Sequence, residues 1–264
     1  MLVCTVLWPV HAQSLGGNAT TPAQWRTQFE QAVDHRINIP LPEQQTYISL
    51  LEHALAQAGI TDTASQAYVL VDRSPQIQAA IVLLRLPTGA WWWLGATAIS
   101  TGKVGTFEHF RTPLGVFPHT LDNPDYRAEG TFNKNHIRGY GVQGKRVFDL
   151  GWQQGERGWG NGGVSPLRLQ MHATDPDRLE PRLGTVQSEG CIRIPATLNT
   201  YLDQHGVLDA DYDEAIAEGQ DLWMIESNRQ TINWPGRYVV VVDSNPTVRP
   251  AWAALPTKPR RVKK

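Results

Sequence analysis

Residues 67–99 read AYVLVDRSPQIQAAIVLLRLPTGAWWWLGATAI, and this stretch decides the fold class. It contains three runs rich in β-branched, aliphatic and aromatic residues. Between them lie Ser74-Pro75-Gln76 and Pro87-Thr88-Gly89, whose residues favour turns. The pattern predicts a β-meander, in which consecutive strands pair. The three predicted strands are Ala67–Asp72, Ile77–Leu86 and Ala90–Ile99.

The segment before the meander, residues 13–65, is predicted to be a helical lead-in. Thr21-Pro22-Ala23-Gln24 combines a capping residue, a proline at the first helical position and a glutamine three residues after the cap. Apolar residues at helical spacing between residues 47 and 58, followed by a glycine, predict a second helix. Each helix has one apolar face, which is typical of a packing surface.

The chain after the meander, residues 101–165, is rich in Gly, Asn, Asp and Pro and also carries many aromatic residues. An irregular stretch with so many rings predicts ordered loops around a cleft. Further strands are predicted at Leu167–Met171, Asp221–Glu226 and Arg237–Val242, and a helix at Ala196–Gln204. These elements together predict an α+β fold that is mainly β.

The composition excludes several classes of protein. The chain has 264 residues, a formal net charge of −1 and 2 cysteines. A charge near zero argues against a nucleic-acid partner, and two cysteines cannot build a disulfide scaffold or a cysteine-rich zinc module. No run of about 18 apolar residues is present, so no membrane span is predicted. The histidines lack metal-ligand spacing, so we expect no bound metal. We also expect that the protein has no cofactor and is a monomer.

The first twelve residues contain no charged side chain and include a short apolar run. Val10-His11-Ala12 ends in the manner that signal peptidases accept, so residues 1–12 are predicted to be the remnant of a secretory signal. A buried N-terminal strand is the alternative. Cleavage would remove Cys4 and leave Cys191 as the single cysteine of an exported protein, periplasmic or associated with the cell wall.

Two short segments carry the candidate chemistry, Met171-His172-Ala173-Thr174 and, 13 residues later, Ser188-Glu189-Gly190-Cys191-Ile192-Arg193. A thiol needs a nearby base or cation to react as a thiolate, and His172 can supply one. Gly190 permits a tight turn whose N–H groups can face an oxyanion, and the helix predicted just after it can lower the thiol pKa. Arg193 can bind a carboxylate through two hydrogen bonds. A buried cysteine beside a structural histidine remains the alternative on pattern alone.

The combination of His172 with Ser188-x-Gly190-Cys191-x-Arg193 resembles the signature of the L,D-transpeptidases of the YkuD-domain family. Three upstream segments are also similar to this family, and they are Tyr68–Asp72, Ser100–Lys103 and Thr112–Phe117. The resemblance covers residues 66–227, which are predicted to form the catalytic domain. Residues 228–264 lie outside it and are predicted to be a late strand followed by a basic, Pro-containing tail.

This resemblance implies a mixed β-sandwich with a cleft, in which Cys191 is the nucleophile and His172 is the base. It implies that the Ala173 carbonyl orients the imidazole and that N–H groups at Gly190 and Cys191 stabilise the oxyanion. Arg193 would support the site or contact substrate. Members of this family cross-link peptidoglycan without a metal or cofactor. The thiolate attacks a donor stem peptide, terminal D-Ala leaves, and an amine of an acceptor stem resolves the thioester.

Further residues are candidates for substrate contact, and they are Ser188, Glu189, Tyr140, Trp159 and Met171. Glu189 stands where the family commonly has His. Its carboxylate would raise the thiol pKa if it pointed inward, so we expect it to face solvent or to pair with a basic residue.

Three other functions remain open at the level of the sequence. An L,D-carboxypeptidase or a cross-link-cleaving amidase would share the site but use water in place of the acceptor amine. A non-catalytic wall-binding module would contain the cysteine only incidentally. A glycan-binding surface would use the aromatic rings of Trp152, Trp159 and Tyr140 to stack on sugars.

Overall fold

The computed structural model describes residues 20–61 and 64–256. In these ranges the protein is mixed α/β and mainly β, with two mixed sheets, four α-helices and no closed barrel. The predicted signal remnant, its Cys4 and residues 257–264 of the basic tail lie outside the described residues. No helix within the described ranges is long and apolar enough to cross a membrane.

The secondary-structure elements are numbered in chain order. The strands are β1 Gln66–Asp72, β2 Ala79–Arg85, β3 Trp91–Ala98, β4 Phe110–Arg111, β5 Gly115–Pro118, β6 Tyr126–Arg127, β7 Arg146–Arg157, β8 Val164–Ala173, β9 Ile192–Ile194 and β10 Tyr238–Val242. The α-helices are α1 Pro22–Ala32, α2 Leu41–Gln57, α3 Ala196–Gln204 and α4 Ala210–Ala217. The helix predicted at Ala196–Gln204 is therefore confirmed, whereas the sequence analysis did not predict α4.

The first sheet, sheet A, has the strand order β3-β2-β1-β10-β5 and contains the predicted meander. β1, β2 and β3 pair antiparallel, which confirms the prediction from residues 67–99. The late strand predicted at Arg237–Val242 is confirmed as β10. It lies between β1, to which it is parallel, and β5, to which it is antiparallel. Sheet A therefore takes strands from both sides of the predicted boundary at residue 227.

The second sheet, sheet B, has the order β4-β7-β8-β9, with β6 paired to β7. β8 confirms the strand predicted at Leu167–Met171 and extends it at both ends. The prediction that residues 101–165 form loops is wrong in part, because β7 is a strand of 12 residues that pairs with β8. The second half of β7 is mostly polar and largely exposed, so it shows no alternation of apolar residues that would predict a strand. Its extended conformation comes from pairing with β8.

The strand predicted at Asp221–Glu226 is wrong, because turns occupy these residues. The N–H of Ile225 donates back to the carbonyl of Leu222, three residues earlier. This local hydrogen bond takes the place of a bond to a neighbouring strand.

The helical lead-in packs into the core of the protein. α1 begins with the predicted capping box, in which Thr21 Oγ1 accepts from the Gln24 N–H and Gln24 Oε1 accepts from the Thr21 N–H. Trp25 and Phe29 are buried and join residues of both sheets in one hydrophobic cluster. The apolar face of α2 joins the opposite face of sheet A in a second cluster. Because sheet A is buried on both faces, β1 and β2 are apolar along nearly their whole length.

A buried network of charges joins sheet B to the N-terminus of α4. The Arg146 guanidinium is fully buried and donates to Asp125 at 2.6 Å and to Asp209 at 2.9 Å. His119 lies between the Leu208 carbonyl, at 2.8 Å, and Asp125, at 2.9 Å. Both partners are acceptors, so both imidazole nitrogens carry protons and His119 is a cation. Burial alone would lower the pKa of His119, but the Asp125 carboxylate more than offsets it and the pKa is raised.

Candidate active site

The ends of β8 and β9 bring the two candidate segments together. The strands pair in parallel, with His172 opposite Arg193 and Met171 opposite Ile192. Cys191 directly precedes β9 and lies two residues from Arg193, so the two side chains share a face. Met171 and Ile192 on the opposite face are fully buried in the core. The side chains of His172, Cys191 and Arg193 therefore project from one surface of sheet B.

The turn before Cys191 is held by side chains that bond to its backbone. Ser188 Oγ donates to the Cys191 carbonyl at 2.6 Å and accepts from the Gly190 N–H at 3.1 Å. Thr112 Oγ1 donates to the Gly190 carbonyl at 2.6 Å. Gly190 has a φ of +136°, and a Cβ built there would lie 3.0 Å from the side chain of Leu167. Only glycine takes this conformation without strain, in agreement with the predicted tight turn.

Two upstream segments that resemble the family contact this turn. The Ser188 N–H donates to the Thr101 carbonyl at 3.0 Å, and the Lys103 N–H donates to the Ser188 carbonyl at 2.9 Å. The Gly102 N–H donates to Thr112 Oγ1 at 2.9 Å. The chain after β3 and the chain before β5 therefore fix the position of the turn that carries the cysteine.

His172 is held as a neutral base. Its Nδ1 lies 2.6 Å from the Ala173 carbonyl, which is the contact that the resemblance implied. Because a carbonyl can only accept, Nδ1 carries the proton and Nε2 is unprotonated. Burial, helped by the nearby Arg193 cation and opposed by the bond to Ala173, lowers the pKa of His172 to about 4. The imidazole can therefore accept a proton at neutral pH.

Cys191 is the free cysteine of the described ranges, and it is partly exposed. Its thiol donates to the Arg168 carbonyl at 3.7 Å and makes no hydrogen bond to the His172 imidazole among the described contacts. Burial raises the pKa of the thiol, the Gln170 backbone N–H and the Arg193 cation oppose the rise, and the carboxylates of Glu189 and Asp149 add to it. The net shift is therefore upward, and the expected lowering by the following helix stays a prediction. α3 begins about five residues later, and the effect of burial is larger.

Arg193 places a guanidinium close to the thiol. Its Nη1 donates to the Gln187 carbonyl at 3.2 Å, and its Nε is buried with no hydrogen-bond partner among the described residues. Burial lowers the pKa of Arg193, but an arginine remains charged at neutral pH. A cation with an unused N–H donor is suited to bind a carboxylate or a developing oxyanion near Cys191.

A side-chain network that the sequence analysis missed borders His172. Gln170 donates from Nε2 to Asp149 Oδ2 at 2.8 Å and accepts from the Tyr140 hydroxyl at 3.2 Å. The Tyr140 ring packs on the imidazole with the two centroids 4.6 Å apart. The period of two along β8 was a usable signal for Gln170, since it lies two residues before His172. Asp149 lies opposite Gln170 only through the register of β7 and β8.

The remaining candidates for substrate contact divide into two groups. Glu189 is exposed to solvent, as expected, and Trp159 reaches the turn through Phe110, whose ring lies 4.8 Å from the Trp159 ring. Met171 and Ser188 do not fit a role in substrate contact. Met171 is fully buried because it occupies the core-facing position of β8. Ser188 is 1% exposed, and its hydroxyl is engaged by the backbone of the turn.

Other surface features near the site are a cavity and an exposed ring. Tyr140 lines a cavity of about 460 Å³, together with Tyr126 and Phe132. The Trp152 ring is exposed and lies 5.8 Å from the Arg168 guanidinium. Within residues 20–61 and 64–256, no group of three or more His, Cys, Asp or Glu side chains is placed to hold a metal ion.

The chain matches no model of a known protein family and no curated protein. The features that bear on function are therefore the Cys191 thiol, the His172 imidazole, the Arg193 guanidinium and the turn that holds the cysteine.

Proposed function

We propose that the protein is an L,D-transpeptidase that acts on peptidoglycan stem peptides through a thioester on Cys191. The observation that carries the proposal is the common surface formed by His172 on β8, Arg193 on β9 and Cys191 in the turn just before β9. A nucleophile, a neutral base and a cation on one surface are the groups that acyl transfer by cysteine requires. The resemblance of residues 188–193 to the family signature supplies the substrate class.

In the first half-reaction, His172 Nε2 takes the thiol proton while the sulfur attacks the carbonyl carbon of the diamino acid in the donor stem. A C–S bond forms and the C–N bond to terminal D-Ala breaks. The imidazolium then gives its proton to the departing amine. Because burial keeps both the thiol and the imidazole uncharged at rest, proton transfer accompanies the attack.

The oxyanion that forms during the attack needs hydrogen-bond donors beside the turn. The Gly190 N–H is already engaged by Ser188 Oγ, which argues against the expectation that it serves this purpose. The Cys191 N–H is the better candidate, since Arg193 Nε is buried away from a substrate.

In the second half-reaction, an acceptor amine attacks the thioester and gives a proton to His172. A C–N bond forms, the C–S bond breaks, and the thiol recovers its proton from the imidazolium. The chain's own side chains supply every proton transfer in this scheme. Water in place of the amine would give an L,D-carboxypeptidase or an amidase with the same site.

The proposal extends to the shape of the site and the place where it acts. It comprises a mixed β-sandwich with a cleft between Tyr140 and Trp159, and a monomer exported to the periplasm or the cell wall. Tyr140 beside His172 and Trp159 beside Phe110 support the cleft. The signal remnant 1–12, on which export depends, is supported by sequence alone.

The experiment that tests this function is incubation of the purified protein with muropeptides that carry tetrapeptide stems. Mass spectrometry should find new cross-linked dimers and free D-Ala with the parent protein, and neither with Cys191→Ala. With the full 264-residue chain, residues 1–12 retained, Cys4→Ala is the matched control, because it removes the other thiol and should leave dimer formation unchanged.

Other outcomes of the digest identify the competing functions. Shortened stems without dimers would identify a hydrolase, and unchanged muropeptides would favour a wall-binding module. Dimer formation by Cys191→Ala would overturn the assignment of the nucleophile.

A further inference from the structure

We propose that Gln170, oriented by Asp149, is a positioning residue that anchors Tyr140 over His172 and keeps water away from the imidazole. This inference rests on the proposed function only for the role of His172 as the base. The contacts that carry it lie on β7, β8 and the loop that contains Tyr140.

The orientation of the Gln170 amide is fixed by chemistry. Its Nε2 lies 2.8 Å from Asp149 Oδ2. A carboxylate accepts hydrogen bonds and does not donate them, so the NH2 group must face Asp149 and Oε1 must face the Tyr140 hydroxyl. The hydroxyl therefore donates to Gln170, at 3.2 Å.

Asp149 is itself held in place by several donors. It is 2% exposed, accepts from the Gly151 N–H at 2.9 Å, and accepts from Arg168 Nε at 3.0 Å. A carboxylate with this many partners cannot rotate freely, so it offers Gln170 a rigid acceptor.

Tyr140 depends on the hydrogen bonds of its hydroxyl because burial alone does not hold it, and the Tyr126 side chain is a second partner beside Gln170. The residue is 41% exposed and belongs to the irregular chain between β6 and β7. Its ring nevertheless lies 4.6 Å from the His172 ring, at an interplanar angle of 54°, and His172 is only 5% exposed. The tyrosine ring covers a surface of the imidazole that water would otherwise reach.

Charged and titratable side chains surround His172 on several elements. β9 and the preceding turn contribute Cys191 and Arg193, and the loop contributes Tyr140. Asp149 on β7 and Arg168 on β8 lie one layer further out. Displacement of the Tyr140 ring would change the hydration of the imidazole and leave these charged side chains in the protein, so the effect of the anchor can be separated from theirs.

The test compares Gln170→Leu with Gln153→Leu, in protein with labelled histidine. Gln153 is a matched control on β7, where it donates to the Leu150 carbonyl and touches neither Asp149 nor Tyr140. NMR titration should find that the His172 pKa of Gln170→Leu rises by about 1 from its value of about 4 in the parent, as water reaches the ring. Gln153→Leu should leave it unchanged.

A second variant, Tyr140→Phe, removes the anchored hydroxyl and keeps the ring. The anchor predicts a rise of the His172 pKa in the same direction as for Gln170→Leu. Tyr126→Phe removes the other partner of the Tyr140 hydroxyl and should leave the His172 pKa unchanged, so Tyr140→Phe and Tyr126→Phe together decide the question if Gln170→Leu does not fold. An unchanged His172 pKa in either Gln170→Leu or Tyr140→Phe, where the variant folds, would overturn the inference.

These readouts are independent of turnover. If the parent forms no cross-links while the two variants still raise the His172 pKa, the proposed function fails and the anchor stands. If cross-linking occurs, the acid limb of kcat/KM should move to higher pH in both variants, because it reports the base of the free enzyme.

Discussion

His172 and Cys191 are both uncharged at neutral pH, because burial opposes charge on each of them. The pKa of His172 is lowered to about 4, and that of Cys191 is raised above its ordinary value. An imidazolium–thiolate pair at rest would need the opposite shifts. The free site therefore holds a neutral thiol and an unprotonated imidazole on one surface of sheet B.

This resting state has a measurable consequence for alkylation by iodoacetamide. The rate at Cys191 should rise continuously with pH through about 9, with no plateau between about pH 5 and pH 8, because the thiolate alone reacts and its pKa is raised. His172→Ala should change the rate at neutral pH little. A plateau on the acid side that disappears in His172→Ala would instead identify a preformed ion pair.

At this scale the sequence predicted the set His172, Cys191 and Arg193, since two local segments contain all three. It placed Met171 wrongly, although the period of two along a strand puts neighbours of His172 on the core face. Asp149 was out of reach, because it meets Gln170 through the register of two strands and through no spacing in the sequence. The local sequence pattern therefore predicts the candidate site residues, whereas the pairing of β7 with β8 determines which side chains hold their neighbours in place.

At the scale of the elements, α1 and β3 approach each other closely at Phe29 and Gly95. Phe29 is fully buried, and a Cβ built on Gly95 would lie 2.2 Å from Phe29 Cε1. Gly95→Ala should therefore push the ring out of place and reduce the free energy of unfolding by about 1–3 kcal/mol, measured by urea denaturation.

A matched control exists at Gly139, where a Cβ meets no atom within 4 Å, so Gly139→Ala should cost much less. In the double variant Phe29→Ala/Gly95→Ala, the loss of unfolding free energy should be smaller than the sum of the losses in the two single variants, because the smaller side chain at position 29 removes the clash. Equal stability of Gly95→Ala and the parent would show that α1 is not seated on β3 in solution.

The meander and α1 could be predicted because their information is local. Ala67–Ile99 carries its own turn signals, and Thr21–Gln24 carries its own cap. β7 could not be predicted in this way. Its second half is polar, with Gly155 among glutamine, glutamate and arginine, and its strand conformation comes from the hydrogen bonds that β8 offers. A composition rich in loop-forming residues therefore concealed the strand.

At the scale of the whole molecule, the buried charge network joins sheet B to the N-terminus of α4. Arg146 compensates Asp125 and Asp209 where all three side chains are excluded from water. Arg146→Met would remove the cation that both carboxylates share and leave Asp125 with His119 and Asp209 with Arg229, so it should reduce the free energy of unfolding by about 3 kcal/mol.

Arg237→Met provides the control for this prediction. Arg237 pairs with Asp211 and Glu214 at the surface and is one-third exposed, so its loss should cost less than about 1 kcal/mol. A similar cost for both variants in urea denaturation would mean that the network around Arg146 is hydrated in solution.

The parallel pairing of β1 with β10 has a consequence for how the chain acquires its structure. Tyr68 lies opposite Tyr238, roughly 170 residues later, and β10 separates β1 from β5 in the finished sheet. During chain growth, the meander can form early, but the open edges of β1 and β5 stay unpaired until nearly the whole described sequence has been made. Assembly of sheet A is therefore a late and slow event, and a chain interrupted before residue 238 would present two bare strand edges to its neighbours.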